Sequence, residues 1–115
     1  MQSLDELRQR LRAFAAERDW EQFHSPKNLA MALIVEAGEL VEHFQWLTQA
    51  QSLALTPDKR EQVAQELADV LIYLVRLADR LDVDLLAAAG RKLALNAEKY
   101  PAERARGSAR KYDEI

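Results

Sequence analysis

The chain has 115 residues, a formal net charge of −3 at pH 7 and no cysteine, which excludes a disulfide framework and a thiolate metal site. The charge is mild and the basic residues are scattered, so no positive field points to a nucleic-acid polymer as partner. No apolar run is long enough to span a bilayer, and the N-terminus "MQSLDELRQR" lacks the apolar centre of a signal peptide. These features predict a cytoplasmic protein without membrane contact.

The first half of the chain predicts two long helices. Ser3 is the expected cap of a helix over residues 4–18. A connection follows, and Ser25 closes it as the next cap, with proline at the first position of a helix over residues 26–46. Glycine and proline are scarce throughout, which favours helices over a sheet with many turns.

The second half of the chain contains the same kinds of helix-start and helix-stop signals. Thr56 before proline opens a helix over residues 57–81, and Asp84 caps a fourth helix that reaches residue 100, where Pro101 stops it. The apolar stripe of the third helix is Val63, Leu67, Val70, Leu71, Leu74 and Leu77. The tail has no such stripe and is expected to be extended, or ordered by a partner or ligand. The sequence therefore predicts one all-α domain over residues 1–115, a four-helix bundle with an extended C-terminal tail.

Paired acids lie inside two of these apolar helices. Glu36 and Glu39 are three residues apart on the second helix, and Glu66 and Asp69 repeat the spacing on the third. Residues at this spacing share a helix face. Two like charges ~4 Å apart repel by ~4 kcal/mol at the effective dielectric near a protein surface, so four such groups need a cation among them. Carboxylate-only ligands suit Mg²⁺ or Mn²⁺.

Other interpretations of the acids compete with this one. A single acid pair on a helix is most often a solvated flank. Glu42 is expected either behind the metal ligands or at the surface, and His43 beside it is expected in solvent. A di-iron bundle would need Glu-x-x-His pairs, which these two helices do not contain. The acids could also serve a non-catalytic helical module that binds a cation for stability or binds a basic partner.

Several longer stretches resemble one enzyme family. The segments "FAAERDWEQFHSPKNLAMAL", "EAGELVEHFQW", "QELADVLIYL", "NAEKYP" and "SARKYDE" are similar in order and content to the MazG-like all-α nucleoside triphosphate pyrophosphohydrolases, and most of all to their dCTP pyrophosphatase branch. The similarity covers nearly the whole chain. One departure is Val35, where many MazG-like proteins have a second glutamate.

The resemblance implies roles for thirteen residues. The metal ligands and catalytic acids would be Glu36, Glu39, Glu66 and Asp69. The base and sugar would contact His24, Trp46 and Tyr73, and the phosphates would contact Lys92, Asn96, Lys99, Ser108, Lys111 and Tyr112. One of the two acids on the second helix is expected to orient or deprotonate the attacking water.

The resemblance also implies the reaction. It is Mg²⁺-dependent hydrolysis of the α–β linkage of a (deoxy)nucleoside triphosphate, dCTP or a modified dCTP, to the monophosphate and pyrophosphate. Such a reaction would remove unwanted nucleotides from the cellular pool. The same chemistry on dUTP or on a broad range of nucleotides is the alternative. Apolar residues left over after one stripe per helix, among them Ile34 and Val41, further predict a homodimer or homotetramer.

Overall fold

The chain folds into helices and turns without a strand, and the computed structural model describes all residues from 1 to 115. The α-helices are α1 (Leu4–Glu17), α2 (Pro26–Glu42), α3 (Gln49–Ser52), α4 (Pro57–Arg80), α5 (Leu85–Lys99) and α6 (Ala102–Ala105), and short 3₁₀-helices span Glu21–Phe23 and Tyr112–Glu114. The predicted all-α fold with four long helices is confirmed.

The four long helices begin where the sequence places their caps. The side chains of Ser3, Ser25, Thr56 and Asp84 each accept a hydrogen bond from the backbone N–H three residues further along. These bonds satisfy N–H groups that the first turn of a helix leaves without an internal partner.

The end of α2 differs from the prediction. The helix stops at Glu42, four residues before the expected end at Trp46. The backbone N–H groups of His43 and Phe44 then bond to carbonyls three residues earlier, which tightens the chain into turns. Neither glycine nor proline stands here, so no residue in the sequence marks the change.

Two segments predicted without regular structure contain single helical turns. Helix α3 lies in the linker before α4, where Thr48 and Gln51 form a capping box. The tail contains α6 and the second 3₁₀-helix, and residues 108–111 between them lie outside any helix.

The chain divides into two compact units, Met1–Asp82 and Val83–Ile115. That all 115 residues act as one domain remains a prediction. In the first unit α4 packs mainly against α2 and also against α1. Helices α2 and α4 are antiparallel, because His24 before α2 meets Arg76 near the end of α4, whereas His43 after α2 approaches Glu66. The buried apolar residues are Ala15, Leu29, Val63, Val75 and Ala78.

The predicted apolar stripe of α4 is only partly buried. Val63 is in the core, but Leu67, Leu71 and Leu74 keep 52%, 40% and 38% of their surface exposed. The side of α4 that packs against its neighbours instead includes Val75 and the buried Arg76. A stripe at helical spacing identifies an apolar face, but it does not say whether that face packs inside the chain.

The second unit consists of α5 and the tail. The ring of Tyr112 meets the ring of Tyr100 edge to face with centroids 6.1 Å apart, and the ammonium of Lys99 lies 5.1 Å from the Tyr112 ring centroid. The tail therefore folds back onto the end of α5. Among the helices of the whole chain, none has the length and apolar character needed to cross a membrane.

Candidate metal centre

The antiparallel pair α2 and α4 brings three of the predicted acids together. Glu36 and Glu39 lie one turn apart on α2, and Glu66 faces them from α4. One carboxylate oxygen from each of the three lies within 4.8 Å of the others. The three-residue spacing on α2 places both of its acids toward the same neighbour.

This cluster contains oxygens that the protein leaves unpaired. One carboxylate oxygen of Glu36 (Oε2) and one of Glu66 (Oε2) are buried and have no hydrogen-bond partner. A buried acceptor without a partner costs about 1–3 kcal/mol, and more when it is charged. A group outside the chain that binds these oxygens would remove that cost.

The cluster shifts the protonation of Glu36. Burial first, then hydrogen bonding and charge repulsion from Glu39, then the charges of Asp69 and Glu66, raise the pKa of the Glu36 carboxyl to about 7. Each of these effects disfavours the carboxylate form. In the metal-free protein Glu36 therefore holds a proton at pH values where an ordinary glutamate has lost it.

Asp69 and His43 lie at the edge of the cluster. Asp69 follows Glu66 by one turn of α4, is half-buried and acts on Glu36 through its charge, but its oxygens are outside the group of three. The ring nitrogen Nε2 of His43 is 3.8 Å from an oxygen of Glu66, and only 16% of the His43 side chain is exposed. The prediction that His43 lies in solvent is wrong, because the chain turns at the end of α2 and directs it toward α4. Glu42 is at the surface, as expected.

The donor set fits a hard divalent cation. It consists of carboxylate oxygens from two rigid helices, two of them buried and unpaired. Mg²⁺ and Mn²⁺ prefer such oxygens, and a positive ion among them would offset their mutual repulsion.

The predicted base and sugar contacts lie at different distances from the acids. His24 lies in the connection between α1 and α2, and its Nδ1 accepts a hydrogen bond from Nε of Arg76 at 3.1 Å. Arg76 is ten residues beyond Glu66 on α4, about 15 Å along the helix. Half-buried Tyr73 lies between them on the same helix. Trp46 follows the end of α2 and is 87% exposed.

The predicted phosphate contacts all belong to the second unit. Lys92, Asn96 and Lys99 are four and three residues apart on α5, a spacing that places them on one face. Asn96 is half-buried and both lysines are exposed. In the tail, the hydroxyl of Ser108 accepts a hydrogen bond from the backbone N–H of Arg110. Lys111 precedes the last 3₁₀-helix, and Tyr112 is the residue that meets Lys99.

Sequence reasoning missed a charged network at the other end of α4. Asp79, whose side chain is 4% exposed, accepts hydrogen bonds from Nε and Nη2 of Arg12 at 2.7 and 2.6 Å. Arg8 and Arg76 also donate to Asp79, each at 3.4 Å. These partners hold the pKa of Asp79 below its usual range, with Arg12 the largest influence. The i,i+3 pair of Arg76 and Asp79 was visible in the sequence, but its burial was not.

Comparisons with known proteins agree with this architecture. Residues 31–115 match the MazG-like family. The chain is 50% identical to human dCTP pyrophosphatase 1, over 98% of the chain and 68% of that protein, and 49% identical to its rat counterpart over the same shares. A crystal structure of a pyrophosphatase from Archaeoglobus fulgidus superposes with a TM-score of 0.80 at 39% identity, over 84% of this chain and 91% of that one. The chain therefore belongs to the MazG-like family.

Proposed function

We propose that the protein hydrolyses nucleoside triphosphates between the α- and β-phosphates, with dCTP as the preferred substrate and dCMP and pyrophosphate as products. The observation that carries this proposal is the cluster of Glu36, Glu39 and Glu66, in which two buried oxygens lack any partner. The similarity to proteins named dCTP pyrophosphatase 1 supports the choice of reaction and of base.

The proposed cofactor is a divalent cation, Mg²⁺ by preference, with Mn²⁺ as a substitute. Glu36, Glu39 and Glu66 would hold it, with Asp69 completing the set from the next turn of α4. When bound, such an ion neutralises phosphate charge and lowers the pKa of water. Below about pH 7, where Glu36 holds a proton in the metal-free protein, it must release that proton to become a ligand.

The remaining proposed contacts divide by chemistry. His24, Trp46 and Tyr73 offer one imidazole and two aromatic rings for the base and sugar. For the phosphates, α5 and the tail offer cations and hydrogen-bond donors, namely Lys92, Asn96, Lys99, Ser108, Lys111 and Tyr112. Charge-assisted hydrogen bonds from lysines would stabilise pyrophosphate as the leaving group, so Lys92 and Lys99 should affect the rate as well as binding.

Hydrolysis in ¹⁸O-labelled water tests the reaction. A panel of dCTP, dUTP and the common nucleotides with Mg²⁺ should give fastest turnover of dCTP, with the label in dCMP and none in pyrophosphate. Label in pyrophosphate would place the attack on the β-phosphorus. Release of dCDP and orthophosphate would refute the proposal, and equal turnover of all nucleotides would refute only the base preference.

The protein is also proposed to form a homodimer or a dimer of dimers. One side of α2 presents Met31, Ile34, Val35 and Val41, each between 57% and 69% exposed. Gly38 lies in the middle of this surface, and a Cβ placed there would meet no atom within 4 Å. A row of apolar residues around a glycine lets a second helix approach closely, and large exposed apolar patches commonly mark interfaces.

Light scattering checks the assembly. The wild-type protein should scatter as an oligomer at micromolar concentration, and Ile34→Glu should reduce its mass because a charge at the centre of an apolar interface is costly. A fully active monomer would refute this part of the proposal. The cytoplasmic location expected from the sequence stays a prediction.

A further inference from the structure

The guanidinium of Arg76 lies at the point where α4 meets the connection between α1 and α2. Arg76 is 4% exposed. Its Nε donates to Nδ1 of His24 at 3.1 Å, its Nη1 donates to Asp79 at 3.4 Å, and its Nη2 lies 3.9 Å from an oxygen of Glu21. One side chain of α4 therefore contacts two residues of the connection, Glu21 and His24.

The hydrogen bond to His24 determines where the imidazole carries its proton. Arginine stays protonated and only donates, so Nδ1 of His24 must accept with a lone pair. A neutral imidazole that accepts at Nδ1 carries its hydrogen on Nε2. Burial, followed by the charges of Arg76 and Arg80, lowers the pKa of His24, which agrees with a neutral ring.

Asp79 keeps the guanidinium of Arg76 in place. It binds Arg12 of α1 through two short hydrogen bonds and still accepts from Nη1 of Arg76. Arg12 is on α1, and Asp79 and Arg76 are on α4. The donor that faces His24 is therefore held by contacts between two helices. Nη2 of Arg76 is buried without a hydrogen-bond partner. The position of the guanidinium that serves His24 and Asp79 therefore leaves one donor of Arg76 itself unsatisfied.

The row of residues on α4 connects this contact with the acid cluster. Glu66, Asp69, Tyr73 and Arg76 follow at intervals of three, four and three, which places them along one face. The seven residue steps from Asp69 to Arg76 span about 10 Å, which is comparable with the length of a nucleoside. His24 thus lies at the far end of a row that begins with the proposed metal ligands.

We propose that Arg76 is a positioning residue, which holds His24 in the tautomer protonated on Nε2 so that His24 presents one fixed hydrogen-bond donor to the nucleotide. The proposal rests on the proposed function, because only there is His24 a contact of the base or sugar. A fixed donor favours a ligand atom that accepts, such as the N3 atom of cytosine, over the same position in uracil, which carries a hydrogen.

Nitrogen NMR of the imidazole rings tests the first half without any need for activity. The chain has two histidines, so a His43→Gln variant assigns both signals. In the metal-free protein near neutral pH, His24 should show an unprotonated Nδ1 and a protonated Nε2. Arg76→Met should give a mixture of both tautomers. A mixture in the wild type, or an unchanged tautomer in Arg76→Met, overturns the proposal.

Arg80→Met is the matched control. Arg80 lies one turn further along α4, is exposed and lowers the pKa of His24 through charge, with no hydrogen bond to it. This variant removes the same charge and should keep the wild-type tautomer. Arg76→Lys is a second variant in case the methionine variant does not fold, because it keeps the buried charge beside Asp79 but lacks the fork that joins Asp79 to His24.

Kinetics with dCTP and Mg²⁺ test the second half. Arg76→Met should raise KM about three- to tenfold, the factor that corresponds to one hydrogen bond, with kcat changed less. Arg80→Met should leave KM within about twofold. In a His24→Asn background, which lacks the Nε2 donor, Arg76→Met should add no further increase. A full additional increase in that background, or a tautomer change without a change in KM, overturns the proposal. A wild-type protein that does not hydrolyse dCTP would instead refute the proposed function, and the NMR result would still decide how Arg76 holds His24.

Discussion

The two halves of α4 differ in whether their buried charges are paired within the chain. In the N-terminal half, Glu66 faces Glu36 and Glu39, all of one sign, and two buried oxygens of the cluster have no partner. In the C-terminal half, the side chain of Asp79 is more deeply buried than that of Glu66 and accepts hydrogen bonds from three arginines. The same helix therefore carries one group of charges that the chain balances and one that it does not.

This difference separates structure from function. A buried charge that has its partners within the chain holds helices together, and its loss should lower stability. A buried group of like charges without partners lowers the stability of the empty protein and is explained only by something the protein binds. Three experiments test whether the two halves of α4 differ in this way.

The largest effect is expected in the N-terminal half of α4, where the acids have no partners within the chain. Glu66→Gln should reduce dCTP hydrolysis by at least about a thousandfold, because it removes a hard anionic ligand of the proposed cation from the centre of the cluster. The fold should survive, since repulsion with Glu36 falls. The measurement is pyrophosphate release, with the thermal midpoint Tm as a check on folding.

Glu42→Gln provides the control for this loss. Glu42 is on α2 near the cluster and at the surface, so the same chemical change there should leave activity within about twofold. If Glu66→Gln retained activity, and Glu36→Gln, Glu39→Gln and Asp69→Asn did so as well, the metal site would be refuted.

In the C-terminal half of α4, where Asp79 is paired with arginines, a substitution should lower the stability of the fold. Asp79→Asn removes the negative charge beside buried Arg76 and replaces one of the two oxygens that accept from Arg12 by a donor, and we expect a loss of about 3 kcal/mol in the free energy of unfolding. Urea unfolding measures it. Asp82→Asn makes the same change at an exposed position whose φ of 55° asparagine tolerates well, and it should cost less than about 0.5 kcal/mol. Equal losses in both variants would show that the network around Asp79 contributes nothing of its own.

The smallest effect is a pH dependence of the metal-free protein. The pKa of Glu36 is about 7 in the folded chain against 4.5 for an ordinary glutamate, so the folded state binds more protons between these values. Stability should therefore fall as pH rises from about 4.5 to about 7 and level off above, by an amount on the order of 1 kcal/mol after allowance for nearby solvent.

Thermal unfolding with a chelator, with Glu36→Gln beside the wild type, isolates this effect. The difference in Tm between the two proteins should grow in favour of the variant as pH rises across that window. Mg²⁺ should then raise the Tm of the wild type more than that of Glu36→Gln. A pH-independent difference would mean that Glu36 titrates like an ordinary glutamate.

Local signals in the sequence were sufficient for much of the fold. A hydroxyl or carboxylate cap before an apolar periodic run marks a helix start whatever the helix packs against, and Ser3, Ser25, Thr56 and Asp84 all fulfil that role. The end of α2 has no such signal, because the tightening after Glu42 depends on backbone bonding and not on a breaker residue.

Contacts between distant residues were not visible in the same way. Glu36 and Glu66 were predicted to meet because each lay in an apolar run at a repeated spacing. Arg76 and His24 are 52 positions apart and share no pattern, so their pairing emerged only from the packing of the connection on α4. The exposure of Leu67 was missed for a related reason, since the sequence does not show which apolar face packs within the chain.

The row of Glu66, Asp69, Tyr73 and Arg76 on α4 also limits where residues can be inserted into the chain or deleted from it. One residue added between Asp69 and Arg76 would rotate everything beyond it by about 100° and move it by 1.5 Å. His24 would lose its donor while the acids stayed in place. Substitutions can accumulate along this stretch, but insertions and deletions there would separate its two ends. The linker around α3 has no such row, so a difference in chain length between family members is far easier to accommodate there.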